Sequence, residues 1–188
     1  MSFGTGRPAV LKDDETIRDC SLLLQHPLSI EDDMRLISTV ELMAIRERVH
    51  NKLAPYDQPV DEHTFDALRQ AEQEFQAWYA TWDEVFSRKY EDGGELLPLH
   101  VLRIAHGFSA FYRQSLQLQL YHAQLFHNAT ALRGINGYDD VCKMPERQRQ
   151  LALRSIHIAR QGLDITVNSP TYREGMKYGG ISLGLCDS

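Results

Sequence analysis

This 188-residue sequence has no apolar run of about eighteen residues, so no membrane-spanning helix is expected. No basic segment followed by an apolar stretch stands near Met1, so no secretory leader is expected either. Cysteine is scarce. Cys20, Cys142 and Cys186 are odd in number and far apart, which excludes a disulfide framework or a cysteine zinc site and points to a reducing compartment. Basic charge is also short: 20 Lys and Arg stand against 26 Asp and Glu, a net charge of −6. That balance argues against the chain gripping nucleic acid or an anionic membrane surface by itself. No strand-like alternation of useful length occurs, and there is no internal repeat.

Catalytic and metal signatures are missing as well. There is no Gly-x-Ser-x-Gly, and no cysteine sits in an activating local sequence. Glu47-x-x-His50 is one half of a di-iron motif, and a second copy is absent. His100, His106, His122 and His127 share one long segment, yet no two of them are three or four residues apart. They therefore do not share a helix face as ligands to one metal would. No metal and no cofactor are expected in this chain.

What is present reads as helix. Residues 1–95 carry twenty acids against ten Lys and Arg, whereas residues 96–138 carry no Asp, Glu or Lys. An acid-free segment rich in leucine and aromatics is expected at the centre of the fold. Ser29 and Asp32 have the form of a capping box opening a helix near 30–53, with Ile37, Val40, Ala44 and Ile45 as its apolar stripe. Arg46, Arg48 and Lys52 stand near its end, where cations are favoured, and Ala54-Pro55 stops it. Phe65, Leu68, Phe75, Trp78, Tyr79, Trp82 and Phe86 recur at helical spacing in a second helix. Glu91-Asp92-Gly93-Gly94 breaks the pattern, and a long helix from about Leu96 to Arg133 ends at Gly134, with Gly107 able to divide or bend it. A last helix is expected over about 145–165, with Leu151, Ile158 and Leu163 facing inward. The fold class expected is all-α, an irregular multi-helix bundle.

The stretch SFGTGRPAVL, residues 2–11, lacks the third glycine of a dinucleotide loop, follows no strand and lacks the Lys-Ser/Thr of a P-loop. A structural turn through Gly4, Gly6, Arg7 and Pro8 is the better reading, since glycine permits the bend and proline fixes φ. The aromatic series of the second helix reads first as core. The rival reading is a ligand pocket among Trp78, Trp82, His106 and His122 in a small helical binding domain or enzyme.

The opening SFGTGRPAVLKDD resembles the end of the middle homology region of fungal zinc-cluster transcription factors, where a helix runs into a Ser-x-x-Gly-Arg-Pro turn. The rest is similar in layout: a helix near 30–53, an aromatic helix with Phe75, Trp78 and Trp82, and a leucine-tyrosine helix from Leu116 to His127. A following helix around Leu151-Ala152 and Ala159 matches in outline, and SPTYREGMKY resembles the family's entry into a further long helix. The resemblance implies a partial regulatory domain over residues 1–178, with a glycine-rich tail over 179–188 expected to be disordered. It implies a non-enzymatic, nuclear role in transcription, through protein partners or a small-molecule effector. The family's six-cysteine zinc cluster and coiled coil have no counterpart here, so zinc and DNA contact would belong to a separate module. Self-association is expected wherever an uncovered apolar surface remains.

Overall fold

A computed structural model describes residue 17 and residues 19–56, 58–91 and 99–179. The described residues form six α-helices and two 3₁₀ segments, and contain no strand. The helices are α1 (Glu31–Lys52), α2 (Glu62–Glu91), α3 (Leu99–Asn128), α4 (Tyr138–Lys143), α5 (Glu146–Asn168) and α6 (Pro170–Gly179). The 3₁₀ segments are Asp19–Gln25, which packs on α1, and Ala129–Leu132, which tightens the end of α3. The expected all-α class holds. The turn at Gly4, Gly6, Arg7 and Pro8 and the tail over 180–188 lie outside the described residues.

Helix α3 is the hub: it packs against α2, α5 and α6 and touches α1. Its course relative to α2 is fixed by two polar ties, one at the middle of α3 and one nearer its C-terminal end. Arg113 makes a two-pronged ion pair with Asp83, Nε to Oδ1 at 2.6 Å and Nη2 to Oδ2 at 2.9 Å, while Gln124 donates to Glu72 at 2.9 and 3.0 Å. Rising numbers on α3 meet falling numbers on α2, so the two are antiparallel. Glu72 also accepts from Arg154 of α5 at 2.7 Å, which ties three helices at one half-buried carboxylate.

The core is the aromatic face of α2 set against α1 and α3. Phe75, Trp78, Trp82 and Phe86 are all buried, alongside Ile37, Leu42 and Val49 of α1 and Leu116, Leu120 and Ala123 of α3. Burying side chains of this size contributes about 1.5–3 kcal/mol each. The indoles are not merely greasy. Trp78 Nε1 donates to the Ser38 carbonyl at 2.9 Å and Trp82 Nε1 to Glu41 Oε2 at 2.7 Å, so neither polar edge is stranded in the core.

Several local expectations shift. Helix α1 starts one residue later than the Ser29–Asp32 box implies. Ile30 is its N-cap, and Asp33 Oδ2 accepts both the Ile30 N–H at 2.8 Å and the Ser29 hydroxyl at 3.1 Å. The carboxylate at the third helical position thus supplies the reciprocal half of the cap, which an isoleucine cannot. Helix α3 runs unbroken through Gly107, and the chain turns at Gly134, whose φ of 76° is the left-handed conformation that glycine adopts without strain. Leu163 does not face inward; it is 63% exposed, while Ile158 is buried. Helix α5 is apolar on more than one side, with Leu153, Ile156 and Val167 exposed as well, so periodicity alone does not select its inner face.

The stretch SPTYREG has a clear mechanical role. Ser169 takes an extended ψ of 115°, as the residue before a proline tends to, and this ends α5. Its hydroxyl accepts the Tyr172 N–H at 3.2 Å as an N-cap for α6 and donates to Gln114 Oε1 of α3 at 2.8 Å. Pro170 occupies the first helical position, where its missing N–H costs nothing. Tyr172 then sets its ring 5.6 Å from that of Phe111, and Gly175 passes directly over the Phe111 ring. The motif breaks one helical course and redocks the chain on the first half of α3.

Candidate functional site

Three helices leave an open groove along α3. Its walls are Thr39, Leu42, Met43 and Arg46 from α1, and Ala159, Gly162, Leu163 and Thr166 from α5. The floor is α3, through Ser115, Leu118, Gln119, His122 and Leu125, with Tyr172 of α6 at its edge. The cavity is about 750 Å³, inside the ordinary range for small-molecule sites, roughly 300–1,000 Å³. Small residues on α5 keep it open: a Cβ on Gly162 would stand 3.7 Å from Tyr121 and 3.8 Å from Leu118.

The polar groups of the groove are few and specific. Arg46 is only 7% exposed, and its guanidinium lies 5.1 Å from the centre of the Phe126 ring. Burial pushes its pKa down. The sequence places Arg46 among cations at a helix end; the structure instead covers it, because the second half of α3 lies over that end of α1. The Gln119 side-chain oxygen is buried without a hydrogen-bond partner among the described residues. No described residue lining the groove is an aspartate or glutamate.

Of the pocket residues expected from the sequence, His122 lines this groove, exposed on α3. Trp78 and Trp82 do not join it. Their indoles are buried in the α2 core, with their N–H groups spent on Ser38 and Glu41 of α1. His106 is on α3, and its side chain lies outside the described set. The aromatic series is core rather than cavity wall, and the groove-lining Arg46, Leu118 and Gln119 carry no signal in the sequence beyond helical spacing.

A neighbouring histidine is buried deeper still. His127, 3% exposed, stacks on Phe75 at 5.6 Å and meets Phe126 edge-on at 5.1 Å. Burial, then Arg46, then His50 pull its pKa down to about 3. Its Nε2 has no hydrogen-bond partner among the described residues. Among those residues no cluster of three His, Cys, Asp or Glu side chains could hold a metal ion, and no helix is long and apolar enough to cross a membrane. Cys20 and Cys142 are free thiols.

Comparison with known proteins supplies the functional direction. The chain is 26% identical over 132 residues to the transcriptional activator of proteases prtT of Emericella nidulans. The likeness is to a fungal transcription regulator. It covers 63% of this chain and 19% of that protein, so the chain spans about a fifth of its relative's length. No family model matches the chain, and no solved structure matches it.

Proposed function

We propose that this chain is part of the regulatory region of a fungal zinc-cluster transcription factor, and that it works in the nucleus through protein or effector contacts. The observation that carries the reading is the similarity to the prtT activator over 63% of the chain. The helical architecture agrees with it, as does the structural role of SPTYREG, one of the sharpest stretches of the family resemblance. In this reading the chain catalyses no reaction, and it relies on a separate zinc-bearing module for DNA. Its net charge of −6 suits a module that leaves the phosphate backbone to another part of the protein. The exposed Leu153, Ile156, Leu163 and Val167 of α5 are the surface through which it would meet a partner or a second copy.

The test is a tethering assay. Fused to an unrelated DNA-binding module, the chain is expected to change the output of a reporter carrying that module's site, compared with the module alone. The unfused chain should give no sequence-dependent gel shift at physiological salt. A fusion indistinguishable from the bare module would count against the regulatory reading. A small helical binding protein or enzyme is the alternative favoured by the groove, and it predicts ligand binding without any reporter effect.

A further inference from the structure

The solvent face of α5 carries a repeat that burial against α3 does not require. Arg149, Leu153, Ile156, Arg160, Leu163 and Val167 follow one another at alternating steps of four and three residues. That is the spacing of a coiled-coil seam, which keeps one edge of a helix turned toward a partner helix. Ile158, through which α5 rests on α3, stands on the opposite side. The four apolar members of the seam are between 51% and 63% exposed, so the described residues leave it open.

The polar members of the seam select what can cover it. Both are arginines. Arg147 and Arg154, off the seam, are spent on Glu62 and Glu72 of α2, and Arg149 reaches Glu146 at 3.9 Å. Arg160 is exposed at the middle of the seam, and among the described residues it forms no hydrogen bond or ion pair. The acid one turn on, Asp164, accepts from Asn168 at 2.7 Å instead. A second copy suits this seam poorly. Parallel pairing would set Arg160 against Arg160 in one layer, and antiparallel pairing would set it against Arg149, Ile156 or Leu163. None of these is an acid. A helix with its own apolar seam and an aspartate or glutamate at the level of Arg160 meets both demands.

We propose that this face of α5 docks an acidic amphipathic helix of another protein, seam to seam, with a carboxylate of that helix on Arg160. This names the partner chemistry for the regulatory contacts proposed above, and its biological meaning rests on that reading; the pairing itself is a property of the purified chain.

The test uses the full chain and two labelled probe peptides of roughly three heptads, the length that α5 can match. Both carry leucine along the seam and differ only at its central position, glutamate in one and lysine in the other. Each is used where it is monomeric, and binding is read by fluorescence anisotropy. The glutamate peptide should bind saturably, one per chain, and roughly tenfold or more tighter than the lysine peptide. Arg160→Glu should reverse that order, which neither misfolding nor general stickiness would do. Ile156→Asp, at a half-exposed position, should abolish binding of both peptides while the helical circular dichroism is kept. Equal binding of the two peptides, no saturable binding, or an order that survives Arg160→Glu would overturn the proposal. So would a dimer of the unaltered chain in sedimentation, or its capture by phosphatidylglycerol vesicles, if Ile156→Asp abolished it, since the seam would then belong to a second copy or to a membrane surface. Because the readout is direct binding, its failure leaves the tethered reporter result standing, and failure of the reporter leaves the binding result standing.

Discussion

Gly175→Ala is expected to destabilise the protein, although alanine is ordinarily the better helix residue. In an open helical position the exchange gains about 1 kcal/mol. Here the new Cβ would fall 2.2 Å from Phe111 Cδ2 and 2.4 Å from its Cγ. Those distances leave no room for small adjustments. The Phe111 ring cannot simply swing aside, because it is buried and flanked by Tyr112 and Tyr172, each at 5.6 Å between ring centres. Either the ring is forced out or α6 lifts from α3, at an overpacking cost of about 1–3 kcal/mol. For a chain of this length that is a fall in melting temperature of roughly 2–4 °C per kcal/mol. Gly137→Ala is the control: nothing stands within 4 Å of the added Cβ, and the φ of −167° is extended backbone that any residue adopts. Thermal melts of the two variants should differ clearly. Phe111→Leu in the Gly175→Ala background should recover part of the loss, as coupled neighbours do. An unchanged or raised melting temperature for Gly175→Ala would mean that α6 does not dock on Phe111.

Acid should weaken the fold through His127 well before the carboxylates are fully protonated. The imidazole titrates near 3 in the folded state, against an ordinary 6.5. Between those values the unfolded chain binds a proton that the folded chain refuses, so stability rises with pH across that window and is lost as pH falls through it. Each pH unit in the window is worth up to about 1.4 kcal/mol, so acidification from pH 7 to pH 4.5 should remove about 2–3 kcal/mol through this residue alone. His127→Phe keeps a ring against Phe75 and Phe126, removes the titration, and removes the buried nitrogen that lacks a partner. Urea melts at pH 7 and pH 4.5 should show the variant losing much less stability than the unaltered chain. Parallel losses in both proteins would place the acid sensitivity elsewhere.

Much of the fold is legible in the sequence because its strongest signals are periodic. The aromatic spacing from Phe75 to Phe86 announces a buried helix face, and those residues form the core. The acid-free segment marks the helix that its neighbours surround, since an element packed by α1, α2, α5 and α6 has few places for a solvated charge. Punctuation by Pro55 and Gly134 places two of the main breaks. What is not legible depends on which neighbour arrives. Arg46 looks like a helix-end cation until α3 covers it. Leu163 has the spacing of a core residue and becomes a groove wall, because α5 rests on α3 through Ile158 instead. The tryptophans read as core in the sequence, but that Ser38 and Glu41 take up their N–H groups is not written there. The groove itself is a gap between three helices, and no single segment encodes it.

The most direct measurement of the central claim is the reporter output of the chain tethered to a foreign DNA-binding module. The fusion and the bare module would be compared at equal abundance. The expected result is that the tethered chain shifts reporter output away from that of the bare module. Identical output from the two would contradict the claim that the chain regulates transcription.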